Sequence, residues 1–377
     1  MPKPANDREQ LLASIRNPKS RNPKFLYNTP MATQRIITGS ALNDAEEKFN
    51  SSLRPTSLKE YVGQPRLAQK LEITLAAVRQ RGEPMEHVLL HGPPGLGKTT
   101  LSHIIANELG THLTVTSGPA MTKPGDLVGV LTKLQARDVL FIDEIHRLSP
   151  VIEEYLYSAM EDFKIDVPID SGMHAKVITL PLKPFTLIGA TTRAGLLSGP
   201  MRSRFGITHN LEFYSTDDLC SIIGRSANLL GLSAPSEDAL LSIGSRSRGT
   251  PRIANRLLRR VRDYAQIKTN NLISPAVVDE ALALEGIDEL GLDELDRKYM
   301  TIIGKVYSGG PVGLEAIAAT LGEDSGTLED MVEPYLLQLG FLARTRKGRQ
   351  LTLRGAQHIK ITLPNTADQN TDEGELF

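Results

Sequence analysis

Several residue types that mark particular classes of protein are scarce in this chain. Cys220 is the one cysteine among 377 residues, so a disulfide framework within the chain is excluded. Tryptophan is absent and aromatic residues make up 5% of the chain, which disfavours a surface built to stack on unpaired bases. No apolar run is long enough to cross a bilayer, and the polar N-terminus has no apolar signal core. We therefore expect a cytoplasmic protein with no membrane partner.

Charge is also nearly balanced, and this limits how the chain can contact nucleic acid. The 43 Lys and Arg residues oppose 44 Asp and Glu residues, which gives a net charge of −1. A general attraction to the phosphate backbone is therefore not expected from the whole chain. Any basic surface must be local.

Gly92–Thr99, with the sequence GPPGLGKT, fits the phosphate-binding pattern G-x-x-x-x-G-K-[ST]. A short apolar strand at 87–91 precedes it, and a helix at 100–109 follows, closed by Gly110. Backbone N–H groups of such a loop cradle phosphates at a helix N-terminus. Lys98 is placed to reach the β- and γ-phosphates of ATP, and the Thr99 hydroxyl to hold Mg²⁺.

Two acids end the apolar strand predicted at 138–146. Asp143 suits a hold on Mg²⁺, and the adjacent Glu144 is free to orient and polarise an attacking water. Thr191 and Thr192 end the next strand at 185–192, where a polar group can contact the γ-phosphate or the water. Together with the upstream P-loop, these acids predict a nucleoside triphosphatase.

The order of elements predicts an α/β P-loop ATPase domain followed by two smaller domains. Strands alternate with helices over 51–213, which indicates a parallel sheet with helices on both faces. A hairpin is predicted over 164–182, with its turn at Asp170–Gly172. Residues 214–286 read as an all-helical lid. Residues 287–363 read as three helices and a basic-tipped hairpin, which is a winged-helix arrangement. We expect no stable structure in the extension at 1–50 or in the acidic tail at 364–377.

Arginines cluster at three further places. The first cluster is Arg202 and Arg204, in a short loop after the last core strand. An arginine in this loop can reach the nucleotide of a neighbouring subunit. Arg252 opens a lid helix and can approach the phosphates. The rest of that helix carries Arg256, Arg259, Arg260 and Arg262, for which a solvated face is the expectation. The terminal hairpin carries Arg344, Arg346, Lys347, Arg349 and Arg354, which can lie on a nucleic-acid backbone or simply keep the hairpin soluble.

This order of motifs resembles the RuvB family, the AAA+ ATPase motors of bacterial Holliday-junction branch migration. The resemblance covers about 53–363 and is carried by Gly92–Leu101, Phe185–Gly206, Gly249–Asn255 and the winged helix. It implies a hexameric ring on duplex DNA, backbone contacts to the junction arms, the partner RuvA, and the resolvase RuvC in a larger assembly. It also implies roles in homologous recombination, DNA repair and the response to DNA damage.

The resemblance also assigns roles to individual residues. Asp143 matches the acid that holds Mg²⁺, and Glu144 matches the acid that activates water. Thr192 matches the first sensor, with Thr191 as the alternative. Arg204 matches the arginine finger, and Arg252 matches the sensor arginine of the lid. Arg344 and Arg349 match DNA contacts. Other matched positions contact the phosphates, Mg²⁺ or adenosine, or contribute to the neighbouring subunit's site; these are Leu53, Arg54, Tyr61, Val62, Gly95, Gly97, Lys98, Thr99, Thr100, Glu161, Asp162, Phe163 and Tyr214.

Two departures and three alternatives accompany this resemblance. The N-terminal extension is longer than the family usually has, and the hairpin that would dock on RuvA contains Pro168 and matches poorly. A clamp-loader-like ATPase typically has Cys where this chain has Phe205, and it lacks a basic winged helix. An ATP-gated, sequence-reading DNA binder would carry Asn or Gln on the acidic helix predicted at 327–339. A scaffold that never hydrolyses ATP is disfavoured by the intact Glu144 and Arg204.

Overall fold

A five-stranded parallel sheet forms the centre of the P-loop domain in this computed structural model, which describes residues 36–37, 44–168 and 177–363. Its strands are β1 Val88–His91, β2 Leu113–Ser117, β3 Val139–Asp143, β6 Thr186–Thr191 and β7 Ile207–Asn210. They lie in the order β2-β3-β6-β1-β7, so the P-loop strand β1 lies between β6, which ends with the candidate sensor threonines, and the edge strand β7. Nearly every residue of β1, β3 and β6 is buried, as expected for a sheet covered on both faces.

Helices cover both faces of this sheet, and the predicted α/β class is confirmed. The helices of this domain are α2 Pro65–Arg81, α3 Lys98–Leu109, α4 Pro124–Leu131, α5 Pro150–Glu161 and α6 Gly199–Ser203. Helix α2 buries Leu67, Leu71, Leu75 and Val78, the side that its spacing predicts. Each such side chain contributes about 1.5–3 kcal/mol when fully buried. One core cluster joins α2 and α3 to the lid, and a second lies under α4 and α5.

The two arms of the predicted hairpin pair in antiparallel register. They are β4 Lys164–Pro168 and β5 Val177–Pro181, with Ile165 opposite Leu180. Val177 and Ile178 are exposed. The predicted turn at Asp170–Gly172 lies outside the described residues.

The lid consists of four helices that begin at predicted caps. They are α7 Thr216–Leu229, α8 Glu237–Ser245, α9 Pro251–Lys268 and α10 Pro275–Leu284. The hydroxyls of Ser215, Ser236 and Ser274 each accept a hydrogen bond from a first-turn N–H group, as N-cap residues do. Proline in the first turn of α9 and α10 removes an N–H group that has no partner in the helix.

Residues 44–50 depart from the expected unstructured extension. They belong to helix α1, Asp44–Ser52, whose Glu46 forms a buried ion pair with Arg256 of α9. The prediction that the arginines of α9 face solvent is wrong for Arg256, because its side chain is only 3% exposed. A buried guanidinium requires a partner, and α1 supplies it.

The C-terminal head is a winged helix, as predicted. Its elements are α11 Glu294–Lys305, α12 Leu314–Leu321, α13 Ser325–Thr327, a π-helical turn Leu328–Val332, α14 Glu333–Gln338, the wing strands β8 Leu342–Thr345 and β9 Gly348–Leu351, and α15 Leu353–His358. The wing strands pair antiparallel around a tip at 346–347. Helix α15 was not predicted. Within the described residues, no helix is long and apolar enough to span a membrane.

Candidate active site

The P-loop joins β1 to α3 through a backbone that favours glycine. Gly92, Gly95 and Gly97 all have φ between 82° and 137°, the region that side chains disfavour. A Cβ atom at Gly92 would lie 2.6 Å from the carbonyl oxygen of Leu211, so this position also has no space for one. The loop ends at Gly97, the N-cap of α3, where unpaired N–H groups can bind an anion.

Lys98 is held inside this loop. Its Nζ donates hydrogen bonds to the carbonyl oxygens of Gly92 at 2.8 Å and Pro93 at 2.9 Å. Burial lowers the pKa of Lys98 to about 8, although the nearby Asp143 and Glu144 oppose this effect. The loop therefore keeps the ammonium close to where phosphates bind and leaves it only partly stabilised as a cation.

Asp143 is the last residue of β3 and Glu144 comes directly after it, and both line the cleft that Lys98 lines. Glu144 has a left-handed backbone, with φ of 48°, and its N–H donates to Asp143 Oδ1 at 2.9 Å. Burial raises the pKa of Asp143, although this hydrogen bond opposes the effect. Glu144 Oε2 accepts a hydrogen bond from the Thr192 hydroxyl at 3.3 Å and lies 3.2 Å from His146 Nδ1. Strands β3 and β6 are neighbours in the sheet, and this adjacency brings Glu144 and Thr192 together.

The two candidate sensor threonines have different surroundings. Thr191 is fully buried, and its Oγ1 lies 2.9 Å from His146 Nδ1 and accepts the N–H of Arg193 at 3.0 Å. Thr192 lines the cleft above the P-loop and touches Glu144. Of the two, Thr192 is the one placed to contact a ligand.

A cleft of about 720 Å³ lies between the P-loop domain and the lid. Most of the sequence-predicted nucleotide residues line it, namely Leu53, Arg54, Tyr61, Val62, Gly95, Gly97, Lys98, Thr99, Thr100, Asp143, Glu144, Thr192, Tyr214 and Arg252. The Tyr61 and Tyr214 hydroxyls lie 2.9 Å apart, and Tyr214 donates to the Leu96 carbonyl at 3.3 Å. Burial raises the pKa of Tyr214 to about 12, so this wall of the cleft is neutral. The cleft therefore has a charged end at Lys98 and a second wall formed by the two tyrosines, beside the ion pair between Arg225 and Glu60.

The donor set of the charged end fits Mg²⁺ held together with phosphates. Thr99 and Asp143 line the same part of the cleft and offer one hydroxyl and one carboxylate. Across the described ranges, no cluster of three or more His, Cys, Asp or Glu residues could hold a metal ion. A magnesium ion bound with ATP usually takes one or two protein oxygens and completes its shell with phosphates and water.

Arg204 and the acidic stretch at 161–163 do not line this cleft in the described part of the chain. Arg204 Nε lies 3.1 Å from Glu161 Oε1, and its guanidinium carbon lies 4.2 Å from the centre of the Tyr157 ring. One of its terminal nitrogens donates to the Pro200 carbonyl at 2.7 Å. The structure thus brings Arg204 and Glu161 together at a place outside the chain's own cleft.

The wing arginines are tied to a buried carboxylate. Arg344 Nε and Arg349 Nε each donate to Glu333 at 2.8 Å, and Glu333 is fully buried. Tyr299 donates a further hydrogen bond to the same carboxylate. Burial alone would raise the pKa of Glu333, but the hydrogen bonds from Arg349, Tyr299 and Arg344 outweigh it and the pKa is lowered. Part of the wing's positive charge is therefore already paired with an acid.

Several cleft residues were missed by sequence reasoning. Thr116 and Ser117 end β2, and Ser117 is in register with Asp143, so the rule that ligands bind beyond the carboxyl ends of parallel strands could have found them. Arg225 and Asn255 lie inside lid helices, where nothing local distinguishes them. Glu47 lies on α1, in the segment for which no stable structure is expected.

Three family descriptions match consecutive parts of the chain. The Holliday junction DNA helicase RuvB P-loop domain matches residues 53–211. The RuvB AAA lid domain matches residues 214–288, and the RuvB C-terminal winged helix domain matches residues 289–360.

Solved structures from Thermotoga maritima match the chain along nearly their whole length. The protein described as the RuvB Holliday junction branch migration motor is 51% identical, with a TM-score of 0.75, over 83% of this chain and 100% of that chain. Two point variants of the same protein match at 51% identity, with TM-scores of 0.76 and coverage of 83% of this chain and 99% of those chains.

Proposed function

Because this chain belongs to the RuvB family of P-loop AAA+ ATPases that drive Holliday-junction branch migration, we propose that it works as a hexameric ring that moves duplex DNA through the junction, together with a cognate RuvA. Its roles are in homologous recombination, DNA repair and the response to DNA damage, in the cytoplasm, with the resolvase RuvC in the larger assembly. The observation that carries the proposal is the cleft at the P-loop, where Lys98, Asp143, Glu144 and Arg252 converge.

The residues of the cleft divide the chemistry between them. Lys98 moves from the loop carbonyls to the β- and γ-phosphates, while Thr99 and Asp143 hold Mg²⁺. When bound, Mg²⁺ neutralises charge on the phosphate oxygens. Glu144 orients and polarises the attacking water, and Thr192 fixes the Glu144 carboxylate by the hydrogen bond described above. Arg252 approaches the phosphates from the lid, and Leu53, Arg54, Tyr61, Val62 and Tyr214 surround the adenosine.

Arg204 completes the site of the neighbouring subunit. Its absence from the described lining of the chain's own cleft and its pairing with Glu161 support a role at a subunit interface, where Glu161, Asp162 and Phe163 also contribute. In this arrangement the cation reaches the developing charge only when the ring is assembled.

The other two domains convert hydrolysis into movement. We divide the chain into the P-loop domain at 51–213, the lid at 214–286 and the head at 287–363. Hydrolysis changes the angle between the P-loop domain and the lid, and the heads move with it. Arg344 and Arg349 contact the DNA backbone without reading sequence. The β4–β5 hairpin docks on RuvA.

ATP-driven dissociation of a synthetic four-way junction, with and without cognate RuvA, tests the function directly. We expect RuvA-stimulated dissociation that disappears in Lys98→Ala. ATPase activity without any junction movement would instead favour a clamp-loader-like role, and the absence of DNA-stimulated turnover would favour an ATP-gated DNA binder.

Mixed rings test the placement of Arg204. We expect Arg204→Ala to abolish turnover and to retain ATP binding, whereas Arg202→Ala, at an exposed position in the last turn of α6 just before Arg204, keeps both. Mixing Lys98→Ala with Arg204→Ala subunits should restore part of the ATPase activity, because some interfaces then combine an intact Lys98 with an intact Arg204. No recovery, or loss of ATP binding in Arg204→Ala alone, would contradict an action on the neighbouring site.

A further inference from the structure

Helix α1 is fixed to the lid rather than to the sheet. Its Glu46 forms an ion pair with Arg256 in which the two side chains are 7% and 3% exposed. Arg256 also donates to the carbonyl oxygen of Ile36, which precedes α1. The Phe49 ring packs beneath the guanidinium of Arg259 at 5.2 Å, a cation–π contact. The helix is therefore anchored along α9, the lid helix that begins with Pro251 and Arg252.

This anchoring places Glu47 in the nucleotide cleft. Glu47 lines the cleft beside Arg252 and Arg54. One of its carboxylate oxygens accepts a hydrogen bond from Arg54, and the other accepts one from Arg252 at 3.4 Å. A single carboxylate thus bridges Arg252, which we assign to the phosphates, and Arg54, which we assign to the adenosine.

The bridge has an electrostatic consequence for nucleotide binding. Glu47 repels the negative charge of the phosphates and occupies the Arg252 guanidinium, which we propose to pair with them. The Glu47 side chain is 42% exposed, so water competes with its ion pairs and each is weak. A carboxylate in this position can be displaced by ATP at moderate cost.

We propose that Glu47 is an internal competitor for Arg252, which ATP displaces when it binds and which returns when nucleotide leaves. The proposal rests on the proposed contact of Arg252 with the phosphates. Glu47 lowers the affinity for nucleotide, and it acts from a helix that moves with the lid because Glu46 ties α1 to α9. The helix belongs to the N-terminal segment that the three matched domains do not cover.

The affinity for a non-hydrolysable ATP analogue, measured by titration calorimetry on the full chain, tests this competition. In Glu47→Gln we expect the Kd to fall about two- to five-fold, the range that one exposed ion pair supports. Glu83→Gln is the matched control, since Glu83 pairs with Arg81 on the surface at 3.1 Å and lies outside the cleft. Unchanged or weaker binding in Glu47→Gln would overturn the proposal and make Glu47 a residue that positions Arg252.

A double variant separates this inference from the proposed function. Arg252→Gln alone should weaken analogue binding, and in that background Glu47→Gln should give a clearly smaller gain than in the wild type, because only its direct repulsion of the phosphates is then relieved. If Arg252→Gln leaves binding unchanged, the assignment of Arg252 to the phosphates fails and the competition fails with it. If Arg252→Gln weakens binding but the gain from Glu47→Gln persists in full, Arg252 keeps its role and the competition alone is refuted.

Discussion

The contact that we propose between Lys98 and phosphate requires a charged ammonium group, yet Lys98 lies in surroundings that disfavour charge. Its pKa is lowered to about 8 by burial. The cationic form therefore dominates at pH 7 and is largely lost at pH 9. Since only the cation pairs with phosphate, we expect the Kd for ATP to rise about ten-fold between these two pH values.

Fluorescence titration with a labelled ATP analogue across this pH range measures the effect. Lys98→Met should bind weakly at every pH, with a much flatter profile, because the group that titrates is gone. A wild-type affinity that stays constant from pH 7 to pH 9 would contradict the lowered pKa of Lys98.

The threonine pair shows how far residue-level reasoning reaches without a structure. The sequence places Thr191 and Thr192 at the end of the strand and leaves open which of them faces the ligand. The last residue of a strand and the one after it point in different directions, and local sequence does not fix where the strand ends. In the structure β6 ends at the buried Thr191, and Thr192 reaches Glu144. The assignment of Thr192 is therefore favoured by position, and its role in hydrolysis remains a prediction.

At the scale of elements, local chemistry predicts much of the architecture. The lid helices begin after Ser or Thr residues, with proline at the first position of α9 and α10, and the P-loop and the acidic strand end are contiguous motifs. These features depend on residues a few positions apart. Helix α1 and the burial of Arg256 depend on a contact across about two hundred residues between Glu46 and Arg256, and the local pattern near residue 46 is polar. Sequence reasoning missed both for this reason.

The wing is organised around Glu333, and this makes a prediction about the stability of the head. Its carboxylate balances Arg344 and Arg349 and accepts from Tyr299. In Glu333→Gln the charge is lost, and the cost is about 1.5–3 kcal/mol at most, because the Arg344 and Arg349 side chains are 42% and 20% exposed and water partly replaces the carboxylate. We expect faster hydrogen exchange in β8 and β9, because the strands lose their link to α14.

Glu329→Gln is the matched control for this change. Glu329 faces the same two arginines but is 43% exposed, so its removal should have little effect on exchange in the wing. The lowered pKa of Glu333 also fixes a pH dependence. Its stabilising contribution is present above the unfolded pKa of a glutamate and is lost as pH falls through the lower folded value. Equal exchange in Glu333→Gln and wild type would contradict the central role of this carboxylate.

At the scale of the whole molecule, the head has two unequal connections to the rest of the chain. Arg248 of the lid forms an ion pair with Asp296 of the head in which the side chains are 4% and 0% exposed. The same guanidinium stacks over the Tyr335 ring at 4.6 Å. By contrast, the P-loop domain meets the head through an ion pair between Arg193 and Asp330 whose side chains are about half exposed. A cleft of about 780 Å³ beside this pair separates the two domains.

This inequality predicts which connection opens as the motor works. Exposed ion pairs are weak, whereas breaking a buried pair costs about 3–5 kcal/mol. The lid and head should therefore move as one body, while the contact between the P-loop domain and the head opens and closes. Arg193 directly follows Thr192, so nucleotide bound near Thr192 is placed to disturb that contact.

Distances between fluorescent labels test this prediction in a Cys220→Ser background. Labels at Glu83→Cys and Glu294→Cys report on the P-loop domain and the head, and labels at Asp238→Cys and Glu294→Cys report on the lid and the head. We expect an ATP analogue to change the first distance and not the second.

Two variants test the two connections separately. Adding Asp330→Asn should broaden the distribution of distances between the P-loop domain and the head even without nucleotide, because the head loses its ion pair with Arg193. Asp296→Asn should broaden the distribution of distances between the lid and the head, because the lid loses its buried ion pair with the head. A lid–head distance that changes with nucleotide as much as the first would show that the head moves independently of the lid, and the coupling would then have to run through the contact between Arg193 and Asp330.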